Sequence, residues 1–242
     1  MNIPNPVFCA VDTSDLAGAK ALAGTVAGSV GGLKLGLEFF TAHGPGGYRE
    51  IAASGLPVFL DLKLYDIPNT VAGALRSITR LAPAMTTLHA GGGKAMMRAA
   101  VDAADTAAET GVERVKLLGV TVLTSLGGPD LESVGLSPHV PDQVRRLALL
   151  AAESGLDGVV CAPHEIEMLR AELGPDFLLV VPGLRPAGTD KGDQQRVMTP
   201  REARALGADV LVIGRPITAA PSPAAAAQDI VASLAPAGQD GP

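Results

Sequence analysis

The residues with the clearest potential for chemistry lie in one stretch, 57–71, which reads PVFLDLKLYDIPNTV. Asp61 and Lys63 interrupt an apolar run, and Asp66 follows where that run gives way to a turn. Because side chains alternate faces along a strand, Asp61 and Lys63 are predicted to point the same way. Opposite charges at the end of a buried strand are costly unless paired, so they form either a structural ion pair or part of a functional site.

Two earlier residues extend this pattern of charges. Asp12 ends the apolar run of AVD, and Lys34 lies within the short run GLKLG. The alternation of Asp12, Lys34, Asp61 and Lys63, with Asp66 nearby, predicts one linked array of opposite charges. Neighbouring carboxylates favour the protonated form of a lysine, and a protonated lysine donates a proton. The array therefore indicates proton transfer rather than Schiff-base chemistry, which requires a neutral amine.

A second set of residues, in segments 182–196 and 213–215, has the composition of a phosphate site. In α/β barrels, phosphate is commonly bound by the loops after the last two strands and a following helix N-terminus. Glycines such as Gly214 let backbone N–H groups approach an anion, Arg215 would supply a two-pronged donor, and Gln194 a neutral one. Each glycine alone could be an ordinary turn residue, but together with Arg215 they predict a phosphorylated small-molecule substrate.

Metal and histidine chemistry are weaker interpretations. His89 could carry a proton, but a hydrogen-bonded histidine at a strand end is the simpler explanation. Asp12, Asp61 and Asp66 are carboxylates of the kind that bind Mg²⁺. The interleaved lysines already supply the compensating charge, so we expect neither a metal nor a cofactor.

The elements that must position these residues are eight short apolar runs that alternate with Ala-rich amphipathic segments. This count predicts a (β/α)₈ barrel, a single α/β domain over residues 1–242 with a frayed tail from about 235. A doubly wound sheet would need fewer strands, and its Gly-x-Gly-x-x-Gly sequence is absent after the first run, in CAVDTSD. The predicted strands are 7–12, 33–35, 57–63, 85–89, 115–123, 157–161, 177–181 and 209–213, and 124–140 is predicted to be irregular.

Composition narrows the class of protein. The formal net charge is −6, without long runs of one sign, which argues against a nucleic-acid partner and a basic membrane anchor. The opening MNIPNPVFCAVD has no basic segment and no long apolar run, so we expect neither a signal peptide nor a membrane span. Cys9 and Cys161 lie in apolar runs without metal-site spacing, which predicts buried free thiols in a reducing cytoplasm.

FLDLKLYDIPNTV resembles the D-x-K-x-x-D-I-x-N-T signature of the orotidine 5′-phosphate decarboxylase family. The similarity continues in consistent order through AVDTSD, GLKLG, TLHAGGGKAMM, VTVLTS, VVPGLRPAGTDKGDQQRVMTP and VLVIGRPIT, so it covers about residues 7–219. The spacing resembles the longer bacterial-type branch. The resemblance implies decarboxylation of orotidine 5′-phosphate to UMP in pyrimidine synthesis, without a cofactor, by a homodimer.

The resemblance also implies a role for each matching residue. Asp61 would lie against the substrate carboxylate, and Lys63 would stabilise the carbanion at C6 and protonate it. Lys34 and Asp66 would complete the charged array, and Asp66 with Thr70 would reach the neighbouring subunit's site. The remaining contacts would come from Asp12 and Lys34 at the ribose, Thr124 at the pyrimidine edge, Gln194, Gly214 and Arg215 at the 5′-phosphate, and Arg185 and Pro182 beside it.

Two other functions fit part of the pattern. Sugar-phosphate decarboxylases and hexulose-phosphate synthases share the D-x-K-x-x-D core, but they resemble Mg²⁺-dependent enzymes that form an enediolate and would not need Thr124. A non-catalytic sensor of phosphorylated ligands would tolerate the loss of Lys63. The complete charged array argues against such a sensor.

Overall fold

Short strands rich in Val, Leu and Ile form the inner layer of the computed structural model, which describes residues 4–186 and 198–235. The strands pair in parallel in the order of the sequence, and the last also pairs with the first, which closes the sheet into a barrel. The predicted (β/α)₈ barrel is confirmed. The strands are β1 (Val7–Val11), β2 (Gly32–Leu35), β3 (Val58–Leu64), β4 (Met85–His89), β5 (Lys116–Val120), β6 (Gly158–Val160), β7 (Leu178–Val181) and β8 (Val210–Ile213).

Helices follow the strands, and several begin at side chains suited to capping. Asp15 accepts a hydrogen bond from the Ala17 amide at the start of the first helix, and Ser222 does the same for Ala225 at the start of the last. Within 4–186 and 198–235, no helix is both long and apolar enough to cross a membrane. The helices are α1 (Leu16–Val26), α2 (Leu37–Ala52), α3 (Pro68–Thr79), α4 (Gly93–Ala108), α5 (Gly128–Ser133), α6 (Val140–Glu153), α7 (Ile166–Leu173), α8 (Pro200–Ala205), α9 (Arg215–Thr218) and α10 (Pro223–Ser233).

The structure corrects the sequence prediction after the fifth strand. β5 ends at Val120 rather than near residue 123, and the segment predicted to be irregular contains helix α5. Pro129 occupies the first turn of α5, and the Asp130 carboxylate accepts a hydrogen bond from the Gly127 amide at 2.8 Å. A Gly-Pro-Asp sequence is equally typical of a turn, so sequence alone does not distinguish the two.

Alternate residues of the strands point into the barrel and fill it. Phe8, Phe59, Met85 and Leu118 belong to this inner cluster and are almost fully buried. Gly32 makes room for the Phe8 ring, because a Cβ at Gly32 would lie 2.3 Å from a ring carbon. Because the interior is filled, a ligand of the barrel is expected to bind at its mouth.

Ion pairs join neighbouring strands at the N-terminal end of the barrel. The Asp157 carboxylate, just before β6, accepts hydrogen bonds from Arg114 Nη1 at 2.7 Å, Lys116 Nζ at 2.8 Å and the Leu117 amide at 2.9 Å. Burial has the largest effect on the pKa of Asp157 and raises it. The hydrogen bonds from Lys116, Leu117 and Arg114 outweigh that effect and hold the pKa below its usual range.

The same arrangement recurs before β8. The Asp209 carboxylate accepts hydrogen bonds from Arg170 Nη2 at 2.6 Å and from the Leu179 amide of β7 at 2.8 Å. In both places an aspartate holds the first residues of one strand against the strand that precedes it. These bonds lie at the end of the barrel opposite the mouth and therefore serve stability.

Asp157→Asn is expected to lower the free energy of unfolding by about 2 kcal/mol at neutral pH, since charged hydrogen bonds are lost in a half-buried place. The native pKa of Asp157 is lowered, so its contribution is complete above the ordinary Asp pKa of about 3.9 and is lost as the pH falls further. The difference between wild type and variant should therefore shrink in acid. Urea unfolding at about pH 7 and about pH 3 measures it.

Asp102→Asn is the matched control, because Asp102 is exposed on α4 and its carboxylate forms no ion pair with another described residue. A loss of stability in the control equal to that of Asp157→Asn, or a difference that does not change with pH, would contradict the assignment.

Candidate active site

A cavity of about 350 Å³ opens at the mouth of the barrel, where the C-terminal ends of the strands meet. This volume is within the range of pockets that hold small molecules. The cavity is lined by side chains from both ends of the chain, because β8 closes against β1. Its lining includes the following predicted site residues: Asp12, Lys34, Asp61, Lys63, Thr124, Pro182, Arg185, Gly214 and Arg215.

Three predicted site residues are not in this lining. Asp66 and Thr70 are exposed at the start of the segment after β3, and the Asp66 carboxylate accepts a hydrogen bond from the adjacent Ile67 amide at 2.7 Å. Gln194 lies outside the described residues. Within one chain, Asp66 therefore does not join the other charged residues.

Four charged side chains form a continuous array across the cavity. Lys34 Nζ donates to Asp12 Oδ1 at 2.9 Å and lies 4.0 Å from Asp61 Oδ2, while Lys63 Nζ donates to the same Asp61 oxygen at 2.7 Å. The side chains of Lys34 and Asp61 are each 13% exposed, that of Lys63 is 33% exposed and that of Asp12 is 55% exposed. The two inner charges are largely withdrawn from water, so each depends on its partners.

An irregularity in β3 brings Asp61 and Lys63 together. The pairing of β3 with β4 joins Leu60 to Thr86 and then Leu64 to Leu88, so the β3 residues between form a bulge. Lys63 has φ of 51°, a left-handed conformation that costs on the order of 1 kcal/mol in a residue other than glycine. The prediction that the two side chains face the same way holds, but simple strand alternation is not the reason.

Thr87 of β4 fills the gap opened by the bulge. Its hydroxyl accepts a hydrogen bond from the Lys63 amide at 2.8 Å and donates one to Asp61 Oδ1, also at 2.8 Å. Thr87 is fully buried. Thr87 is not among the predicted site residues, because MTTLH has the pattern of an ordinary buried strand. Its only signal in the sequence is a polar side chain on the strand predicted to follow DLK.

The loops after β7 and β8 add two arginines to the cavity lining. Arg215 begins α9 directly after β8, is exposed, and forms no ion pair within the described part of the chain. Arg185 donates to the Leu184 carbonyl at 3.2 Å, and the Arg185 amide bonds to the Met198 carbonyl. Gly183, with φ of 79°, turns the chain between β7 and Arg185. Two guanidinium groups beside one cavity suit an anionic group of a ligand.

The remaining wall of the cavity is apolar and includes a thiol. Burial raises the pKa of the Cys161 thiol well above its usual range, with the nearby Glu165 carboxylate adding to the effect. Cys161 is therefore protonated at neutral pH and is not a nucleophile. As predicted, both cysteines are buried and unpaired. The apolar wall consists of Ala10, Phe59, Val120, Val122, Leu123, Val160 and Val212.

His89 lies at the end of β4 but outside the cavity lining. Its Nδ1 accepts a hydrogen bond from the Gly91 amide at 3.0 Å, and its ring stacks on Tyr65 with centroids 5.2 Å apart. Burial, and then the charge of Lys63, lower the pKa of His89. The ring is hydrogen-bonded at the end of the strand, as the simpler of the two sequence interpretations expects.

Within residues 4–186 and 198–235, no group of three or more His, Cys, Asp and Glu side chains has the arrangement of a metal site. The expectation that the protein needs no metal or cofactor remains a prediction.

The chain is similar over nearly its whole length to proteins named orotidine 5′-phosphate decarboxylase. A relative from Paramagnetospirillum magneticum named orotidine 5′-phosphate decarboxylase is 58% identical over 231 residues, covering 95% of this chain and 98% of the relative. One from Rhodospirillum rubrum with the same name is 54% identical over 232 residues, covering 95% of this chain and 94% of the relative.

Solved structures of the same named enzyme share the fold of this chain. The crystal structure of orotidine 5′-phosphate decarboxylase from Lactobacillus acidophilus superposes with a TM-score of 0.83 at 35% identity, covering 95% of this chain and 99% of that one. The family model described as "Orotidine 5′-phosphate decarboxylase / HUMPS family" matches residues 5–230. The cavity at the mouth holds both the charged array and the two arginines. From the family model and the relatives, the chain belongs to the orotidine 5′-phosphate decarboxylase / HUMPS family.

Proposed function

We propose that the protein decarboxylates orotidine 5′-phosphate to UMP and CO₂ in de novo pyrimidine synthesis. The observation that carries this proposal is the array of Asp12, Lys34, Asp61 and Lys63 in a cavity that also presents Arg215. The names of relatives above 50% identity support the same substrate.

The reaction breaks the bond between C6 of the pyrimidine and its carboxylate, and the electron pair stays on C6. The ring offers no adjacent electron sink, so positive charge fixed in advance must stabilise the carbanion. Lys63 Nζ is the proposed source of that charge and of the proton that replaces CO₂. Lys63 then regains a proton from water. The lysines supply the charge that a metal would otherwise bring, so the proposal includes no cofactor.

Asp61 is proposed to lie beside the carboxylate of the bound substrate. Both of its oxygens are already engaged, Oδ1 by Thr87 and Oδ2 by Lys63, so it cannot turn away from a second negative charge. Repulsion that is relieved as CO₂ leaves disfavours the bound substrate relative to the transition state.

The rest of the substrate is assigned along the cavity. Asp12 and Lys34 would hold the ribose hydroxyls, and Thr124 would read the pyrimidine edge. The 5′-phosphate would lie at the arginine side, where its binding energy can hold the reacting ring in place. The residues proposed for that end are Pro182, Arg185, Gln194, Gly214 and Arg215.

The proposed active unit is a homodimer in the cytoplasm, with one barrel domain per subunit. Asp66 and Thr70 lie outside their own chain's cavity and would reach the site of the partner. The exposed side chains of Tyr65 (64%) and Ile67 (67%) flank Asp66, and an apolar surface of this kind is suited to an interface. Buried, unpaired Cys9 and Cys161 fit a reducing compartment.

The proposed function is tested by adding orotidine 5′-phosphate to purified protein pretreated with EDTA. We expect a fast loss of substrate absorbance, with UMP identified as the product by chromatography. Lys63→Ala, purified in the same way, should be slower by roughly 10³-fold or more, because it lacks the proposed acid. The same variant preparation also shows how much activity comes from a contaminating enzyme. Circular dichroism checks that the variant is folded.

Absence of turnover by the folded wild type would contradict the proposal. Turnover of a sugar phosphate only after Mg²⁺ is added would instead indicate the sugar-phosphate branch of the family. Normal activity of Lys63→Ala would refute its role as the acid.

Arg215→Ala is expected to lower kcat/KM by about 10–100-fold, mainly through a higher KM, because a charged hydrogen bond to the phosphate is lost. Steady-state kinetics of the variant measure this. Arg146→Ala, which removes an exposed arginine on α6 that is not part of the cavity lining, is the control. Equal kinetic constants for the two variants would mean that the phosphate binds elsewhere.

Mixing Asp66→Asn and Lys63→Ala subunits tests the shared site. Each variant alone should be nearly inactive, whereas a mixed dimer would contain one site with both residues intact. We expect about half of the wild-type activity per mixed dimer. Mixed dimers isolated with two different affinity tags and showing no recovery would count against sharing.

A further inference from the structure

Two adjacent threonines of β4 bind β3 in different ways. Thr86 and Thr87 are both fully buried, and successive side chains of a strand point to opposite faces. Thr86 Oγ1 donates to the main-chain carbonyl of Leu60 at 2.8 Å. Thr87 Oγ1 instead reaches the bulge, where it donates to the Asp61 carboxylate and accepts from the Lys63 amide.

The Thr87 hydroxyl carries one proton, and only one assignment of donor and acceptor satisfies both of its hydrogen bonds. An ionised carboxylate can only accept and an amide can only donate, so the hydroxyl proton goes to Asp61 Oδ1 and a lone pair takes the Lys63 N–H. One side chain thus fixes the carboxylate of one charged residue and the main chain of the other.

We propose that Thr87 is a positioning residue for the decarboxylation: it sets the direction of the Asp61 carboxylate and holds Lys63 in its left-handed conformation. This inference rests on the proposed function of the site. Thr87 does not line the cavity, so it acts on the substrate only through Asp61 and Lys63.

The bulge explains why such a residue is needed. The ladder between β3 and β4 is interrupted between Leu60 and Leu64, so regular pairing does not fix the two charged residues. Because Thr87 binds Asp61 Oδ1, the other oxygen remains directed at Lys63 Nζ at 2.7 Å. Without the hydroxyl, both the carboxylate oxygen and the Lys63 amide lose a partner in a half-buried place, and both can turn.

Thr87→Val removes the hydroxyl with almost no change in volume. We expect kcat for orotidine 5′-phosphate to fall by about 10²-fold, as for a displacement of reacting groups by about 1 Å, while KM changes little. Thr87→Ser keeps the hydroxyl and should restore most of kcat. Thr86→Val is the matched control, because it removes a hydroxyl that bonds only to main chain and should leave kcat near the wild-type value.

Amide hydrogen exchange at Lys63, followed by NMR, provides a readout independent of activity. Exchange should be faster in Thr87→Val than in wild type, Thr86→Val or Thr87→Ser. The inference is overturned if Thr87→Val and Thr86→Val have the same kcat, or if Thr87→Ser loses as much as Thr87→Val. A folded wild type without turnover would contradict the proposed function, whereas unchanged Lys63 exchange in Thr87→Val would contradict the positioning itself.

Discussion

The mouth of this barrel depends on holding four charges together, two of which are largely withdrawn from water. Asp61 and Lys34 are largely buried, and a buried charge is costly unless an opposite charge lies beside it. Removing one member of a buried pair costs about 3–5 kcal/mol, because the partner is left uncompensated. The bulge in β3, the unusual conformation of Lys63 and the hydroxyl of Thr87 all serve to keep these charges within hydrogen-bonding distance.

The two ends of the barrel use ion pairs for different purposes. At the N-terminal end, Asp157 and Asp209 each bind a strand amide as well as an arginine. These carboxylates are fully engaged in holding neighbouring strands together. At the C-terminal end, Lys63 and Asp12 keep part of their surface open to the cavity. A charge that is partly satisfied by the protein can still act on a ligand.

The sequence predicts the strands and the charged and polar part of the cavity lining, because both depend on local patterns. Apolar runs define the strands, and polar residues at their C-terminal ends meet once the barrel closes, as Asp12, Lys34 and Lys63 do. The bulge could not be predicted, since it depends on a partner, Thr87, in the next strand. Asp66 is a different case: its predicted place in the array needs a second subunit, and one chain alone leaves it outside the cavity.

The pairing of β1 with β8 has a consequence for synthesis of the chain. The proposed catalytic charges come from β1 to β3, whereas Arg215 follows β8 and reaches the same cavity only because β8 pairs with β1, with Phe8 opposite Val212. The ribosome therefore synthesises β1 to β3, with the proposed catalytic charges, long before β8 and Arg215, which would bind the phosphate. The nascent chain can carry every catalytic charge and still lack a site, until its final strand is released and inserted beside its first.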